Sequence, residues 1–174
     1  MNRRPFAVLL TIAVLLCATA FAHKKLSKTV TLVDAKGAIV GTAVITEAKQ
    51  GVEIKLSVSG LAPGEHAIHF HQKPSCVTPD FKSAGGHFNP GNTHHGLHNP
   101  AGPHAGDMPN FTVGANGKAK VTVRDERVTL VPGQPNSLFA EGGTALVIHA
   151  KADDLVSDPA GNAGDRVACG PITQ

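Results

Sequence analysis

The chain has 174 residues, enough for one domain, with 19 Gly, 12 Pro, 10 His, 3 Cys, 7 Phe and neither Trp nor Tyr. Gly and Pro stay below the share that marks low complexity and the hydrophobic fraction of 41% is ordinary, which excludes a coiled coil, a collagen-like chain and a disordered chain and favours a loop-rich globular domain. The net charge of +3 comes without a Lys/Arg stripe, and no aromatic residues interleave with basic ones, which excludes single-strand nucleic-acid binding. Histidine is the outlier.

Residues 1–22, MNRRPFAVLLTIAVLLCATAFA, open with Arg3 and Arg4, continue in an apolar run from Phe6 to about Cys17, and end in Ala20-Phe21-Ala22. This pattern predicts a secretory signal cleaved after Ala22. The run is shorter than the ~20 residues a membrane span needs. Cys17 is disfavoured as a lipid anchor, because Leu16 stands where a small residue is expected. Residues 23–174 then form the mature domain, secreted or periplasmic and free of the membrane. They hold 14 basic and 13 acidic side chains, all ten histidines, and two cysteines, Cys76 and Cys169. Two cysteines in an oxidising compartment most simply form one disulfide. Closing so long a loop constrains the unfolded state by roughly 4–5 kcal/mol in the chain-entropy picture.

Short β segments follow: 29–33, 38–46, 52–59, 66–71, 110–114, 119–124, 128–131 and 144–150, with 166–172 as a final candidate. Val52, Ile54, Leu56 and Val58 alternate with Glu53, Lys55, Ser57 and Ser59, the period of a half-buried strand. Lys36-Gly37, Pro63-Gly64 and Asn116-Gly117 mark turns, and Asn116-Gly117 predicts a hairpin between its flanking strands. No window beyond the signal has helical periodicity. The expected fold is an all-β antiparallel barrel or sandwich of about eight strands. Two stretches, 72–107 and 151–165, resist strand assignment. The first is rich in Gly, Pro, His, Asn and Ser, and a loop of that length is functional or disordered. Its five histidines favour a loop organised by metal.

His69 and His71 stand at i and i+2 of one strand and so share a face, opposite Ile68 and Phe70, which point with His66 toward the core. His149 likewise points away from Leu146 and Ile148. Three imidazoles on an outer wall need a cover against water, and the two long loops are available. In the first loop His87, His95, His104 and Asp107 offer three imidazoles and a carboxylate, a closed set suited to zinc, whereas an all-imidazole set suits copper. Spacing alone does not choose among His94, His95 and His98.

Four motifs in order carry a resemblance: Gly64-x-His66-x-x-His69-x-His71; Gly86-His87-Phe88-Asn89-Pro90; His149-x-Lys151-Ala152-Asp153-Asp154-Leu155; and Gly161-Asn162-Ala163-Gly164-x-Arg166-x-Ala168-Cys169-Gly170. Over about residues 27–172 the chain resembles copper/zinc superoxide dismutases, of the secreted bacterial type. The resemblance implies an eight-stranded Greek-key barrel whose two long loops cover the metals. It implies copper ligands at His69, His71, His87 and His149, and zinc ligands at His87, His95, His104 and Asp107, with His87 bridging the metals and His95 chosen over His94. It implies a disulfide between Cys76 and Cys169, Asp153 linking a ligand histidine of each metal, Arg166 positioning the anionic substrate, and His66 as a structural residue. The implied reaction is dismutation of superoxide to O2 and H2O2, as protection outside the cytoplasm. The implied partners are superoxide, a copper donor and, in some members, a second copy of the chain; nucleic acid and membrane are not among them.

Departures fall beside the ligands. Gln72 stands where the family often has Glu, Ala67 where Gly is common, and Ala160 where Thr often lines the channel. The stretch DLVSDPAG, 154–161, is shorter than in cytosolic members and lacks their steering charges. These changes bear on rate rather than on reaction. His23, His94 and His98 receive no role. The competing readings are a non-catalytic copper- or zinc-holding member of the same fold and an unrelated histidine-rich zinc scavenger.

Overall fold

The structure is a computed structural model and describes residues 25–174. The predicted signal segment, with Cys17, and His23 lie outside the described residues. Alternating segments become strands where expected: β1 (Ser27–Asp34), β2 (Ile39–Glu47), β3 (Val52–Ser59), β4 (Gly64–His66), β5 (Ile68–His71), β6 (Phe111–Val113), β7 (Lys118–Asp125), β8 (Thr144–His149) and β9 (Arg166–Ile172). Seven form one curled antiparallel sheet in the order β5-β8-β9-β1-β2-β3-β7, and β4 pairs with β6. The neighbours β3–β7, β5–β8 and β1–β9 are distant in sequence, which gives the Greek-key connectivity. Among the described residues no helix is long and apolar enough to cross a membrane.

On β3 the period-2 pattern is realised directly: Val52, Ile54, Leu56 and Val58 are buried while Lys55, Ser57 and Ser59 are exposed. They join Val30, Leu32, Ile45, Phe70, Leu146 and Ile148 in the main core, where each large aliphatic side chain contributes about 1.5–3 kcal/mol on burial. A second, smaller cluster of Phe81, Ala84, Ala145, Val147 and Cys169 lies under the long loop. Residues 145 and 147 point oppositely to 146 and 148 along β8. The wall of β8 is therefore apolar on both faces.

Three expectations are corrected. Residues 128–131 form no strand. Thr129 makes only an isolated bridge to Ser137, and the carboxylate of Glu47 takes the Thr129 hydroxyl at 2.7 Å and the Leu130 N–H at 2.6 Å, so a side chain replaces a ladder partner. The expected strand 66–71 breaks at Ala67, whose N–H donates to Lys151 O and whose carbonyl accepts from His149 N–H. The chain changes partners there, from β6 to β8. The Asn116-Gly117 turn forms, with Gly117 at φ 71 and Gly114 N–H donating to Lys118 O, but no ladder follows it. Strand β7 instead pairs along eight residues with β3, and β6 pairs with β4.

Candidate metal centre

Strand β5 presents His69 and His71 opposite Val147 and Ala145 on β8, on the face away from the main core. His149 ends β8 and sits opposite Arg166 across a bulge. The first long loop then returns beside β5. Gln72 N–H donates to Gly86 O, Phe88 N–H to Phe70 O, and Phe70 N–H to Gly106 O. This backbone pairing sets His87 against His71 and Asp107 against His69. The disulfide between Cys76 and Cys169, Cα atoms 5.7 Å apart, ties the start of the loop to β9.

Two four-residue groups of ligating atoms converge, His69, His71, His87 and His149 in one and His87, His95, His104 and Asp107 in the other, with a three-residue group, His69, His95 and Asp153, between them, all buried. The hydrogen-bond partners decide which ring nitrogens carry protons. His71 Nδ1 lies 3.0 Å from Gly85 O and His149 Nδ1 lies 3.3 Å from Gly164 O, so each ring donates from Nδ1 and keeps a lone pair on Nε2. Those two Nε2 atoms are 3.3 Å apart. Two lone pairs facing each other repel unless a cation lies between them. His69 Nε2 donates to Asp153 Oδ2 at 2.7 Å, which leaves Nδ1 bare. Among the described residues, His69 Nδ1, His87 Nε2 and His95 Nδ1 are buried without a hydrogen-bond partner, an expensive state for polar atoms unless something else binds there.

In the second group a single oxygen, Asp107 Oδ1, faces three ring nitrogens: His87 Nδ1 at 2.8 Å, His95 Nδ1 at 3.1 Å and His104 Nδ1 at 3.2 Å. Its other oxygen accepts from the N–H groups of Gly96 and His104, both at 2.9 Å. Three nitrogens and one carboxylate oxygen form the closed set that suits zinc. His87 belongs to both groups, with Nδ1 in this one and Nε2 left for the other. Asp153 joins them a second way, through Nε2 of His69 and of His95, the latter at 3.0 Å. Asn110 fixes the backbone of Asp153 by two hydrogen bonds.

Burial pushes His87 down to about 4 and His149 down to about 3, with neighbouring histidines adding to the effect, and holds His71 well below the usual histidine range. These rings stay neutral and available to a cation. Burial acts on His95 as well, but the carboxylates of Asp107 and Asp153, one beside each ring nitrogen, win and raise it to about 9. Burial opposes ionisation of Asp107 and Asp153, yet hydrogen bonds from the histidines hold both carboxylates ionised, below their ordinary range.

A cleft of about 420 Å³ opens onto the first group, lined among others by His71, His87, His149, Gln72, Ala160 and Arg166. Arg166 donates Nη1 to Phe81 O at 2.7 Å and Nη2 to Gly85 O at 2.6 Å. The bland role of a carbonyl contact and a place at the cleft wall thus coexist in one side chain. His66 enters neither group and bridges the carbonyls of His149 and Ala62. His94 lies outside on an exposed contact to Asp158, and His98 is exposed. Sequence reasoning misses Asn110, which the pattern marks only as the start of a strand, and Asp158, which accepts the His95 N–H at 2.6 Å. It also misses why Gly161 must be glycine: at φ 61, a Cβ there would lie 1.8 Å from Asp153 Oδ1 and 2.7 Å from His95 Nε2. The Gly161-Asn162 pair was the available signal.

Residues 39–172 match the sequence profile of the family described as copper/zinc superoxide dismutase (SODC). The chain belongs to that family. It is 54% identical over 142 residues to "Superoxide dismutase [Cu-Zn] 2" of Aquifex aeolicus, covering 81% of this chain and 83% of that one. Among solved structures, a P104H mutant of a SOD-like protein from Bacillus subtilis superposes with a TM-score of 0.82 at 43% identity, covering 84% and 97% of the two chains. Cu/Zn superoxide dismutase from Brucella abortus superposes at 0.69 and 34% identity, covering 84% and 99%. The family is named for two metals, and the two histidine groups can hold metal ions.

Proposed function

We propose that the chain dismutates superoxide: two anions and two protons give one dioxygen and one hydrogen peroxide. In this reading His69, His71, His87 and His149 hold copper, and His87, His95, His104 and Asp107 hold zinc. The observation that carries it is the approach of the His71 and His149 Nε2 atoms, whose Nδ1 atoms are both committed to carbonyls. Copper supplies the one-electron redox change on which the reaction turns, and zinc, which has none, supplies charge and order.

The chain's own residues do the rest. Arg166 keeps its charge beside the cleft, and the guanidinium donors left over from Phe81 and Gly85 orient a small anion. The mature chain is nearly neutral, so this local charge rather than a global one draws the substrate. His87 Nε2, the nitrogen left over from the Asp107 group, would take up a proton when no cation holds it and deliver that proton to the departing peroxide. Asp153 holds the rings of His69 and His95 by Nε2, which turns Nδ1 of each toward its group.

The signal-like segment 1–22 and the Cys76–Cys169 bond, stable in oxidising compartments, support action outside the cytoplasm, in the periplasm or medium. The test is metal analysis of the secreted protein together with N-terminal sequencing and a superoxide-decay assay with and without copper. The expected result is one copper and one zinc per chain, a first residue of His23, and decay that follows the copper content. Copper-loaded protein without decay would make the chain a non-catalytic metal-holding member, and decay independent of copper would overturn the assignment.

A further inference from the structure

At the end of β7, behind the second metal group, lies an ion pair that is only half used. The Asp125 side chain is buried; its Oδ1 accepts the Arg127 N–H at 3.0 Å and lies 3.0 Å from Arg127 Nη2 as an ion pair. Asp125 Oδ2 and Arg127 Nε are buried without hydrogen-bond partners. An arginine and a carboxylate normally meet fork to fork, with two parallel hydrogen bonds, an arrangement that would satisfy all four atoms. Here the guanidinium is displaced from that geometry, and Nη2 also donates to the carbonyl of Asp107. Two buried polar atoms without partners call for an explanation, and the departure from the fork geometry points toward Asp107. Arg127 is itself anchored, since its carbonyl accepts Asn136 Nδ2 at 2.8 Å.

We propose that Arg127 is a positioning residue for the zinc ligand Asp107. It clamps the Asp107 backbone from the barrel side while Asp125 braces the guanidinium. The clamp acts where the long loop must place one carboxylate oxygen among three imidazole nitrogens, and it adds a side-chain tether to the backbone bonds of Gly106 on the strand side. The sequence offers Arg127 as an ordinary charged residue between a strand and a loop, and no ligand motif includes it. The inference rests on the zinc assignment proposed above.

The test uses the full mature chain and zinc itself as the probe. Zinc affinity is measured by competition with a chromophoric chelator, and site geometry by the visible spectrum of cobalt in the same site. Arg127→Gln should weaken zinc by roughly 10- to 100-fold, the usual effect of losing a partner that orients a ligand, and should alter the cobalt bands. Arg127→Lys should lie between Gln and the parent. Arg124→Gln, which loses only an exposed pair with Glu53, should leave both readouts at the parent value. If Arg127→Gln does not fold, Arg127→Lys and Asp125→Asn decide, each expected to weaken zinc severalfold. Variants of Arg127 with parental zinc affinity and parental cobalt bands overturn the inference. A parent that binds no zinc at this group, or binds it equally well after His104→Ala, overturns the zinc assignment instead.

Discussion

The two walls of this molecule solve burial differently. On β3, at the β7 end of the seven-stranded sheet, inward residues are buried and outward ones lie largely in water. On β5 and β8 every residue is buried, on both faces. The inward face of that wall packs Ile68, Phe70, Leu146 and Ile148 into the main core, and the outward face packs Ala145 and Val147 beneath the loop beside His69, His71 and His149. One sheet thus supplies a rigid half and a functional half. The functional half is buried because the long loops cover it, and the cost of burying polar rings there is offset only where carbonyls, carboxylates or cations take their nitrogens.

The largest effect should come from breaking the functional wall at one atom. His149→Ala removes one of the two facing Nε2 atoms and should reduce superoxide decay to background and abolish tight copper binding. Zinc content and the far-ultraviolet circular dichroism should be retained, because His149 belongs only to the first group, the one proposed to hold copper. Variant protein that still dismutates superoxide with copper shown to be absent would contradict the assignment.

Two changes of similar energetic size should separate the walls. Ile54→Ala opens a cavity in the main core and should cost about 2–5 kcal/mol in denaturant unfolding. Cys76→Ser should also cost about 2–5 kcal/mol. Their metal readouts should differ. Ile54→Ala should keep parental copper and zinc affinities in the folded protein, whereas Cys76→Ser frees the start of the loop whose Phe81 and Gly85 carbonyls hold Arg166 and should also lower the rate per bound copper. Equal rates per copper in the two variants would erase the distinction.

The walls should also part by pH in the metal-free protein. His71, His87 and His149 are depressed in the fold, so the unfolded chain takes up protons first as pH falls below about 6.5, and the stability these rings contribute declines toward about 4 and then 3. His95 is raised, so its contribution is full below about 6.5 and fades as pH rises through about 9. The melting temperature of metal-free protein should therefore peak near pH 6.5 and fall on both sides. A curve still rising between pH 6.5 and 9 would contradict the placement of His95 between two carboxylates.

Strand β3 was open to reading from sequence because its period-2 pattern states burial residue by residue. The histidine faces of β5 and β8 followed from the same rule. The choice of His95 over His94 did not follow from spacing; it needed the family motif, and the structure sets His95 inward with Asp158 holding its N–H and His94 at the surface. Residues 128–131 alternate like a strand, and Val128 and Leu130 are buried as the pattern requires, yet the backbone partner is the Glu47 carboxylate, a contact 82 residues away that no local pattern encodes. Arg127 was silent for the same reason: its significance lies in a carbonyl on another loop.

The smallest effect belongs to the solvent side of β3. Lys55 is one residue from Ile54, opposite Val44 and Thr122, with its side chain 71% exposed and an ion pair to Glu53 stretched to 4.0 Å. An exposed pair of this kind is worth little, because water screens it and two long side chains must be held in place. Lys55→Ala also moves a stem that covers little apolar surface, so unfolding should shift by no more than about 0.5 kcal/mol, with copper, zinc and activity at parental values. A loss approaching that of Ile54→Ala would mean that the outward face of β3 is covered in solution, and that the contrast between the walls is one of partner rather than of solvent.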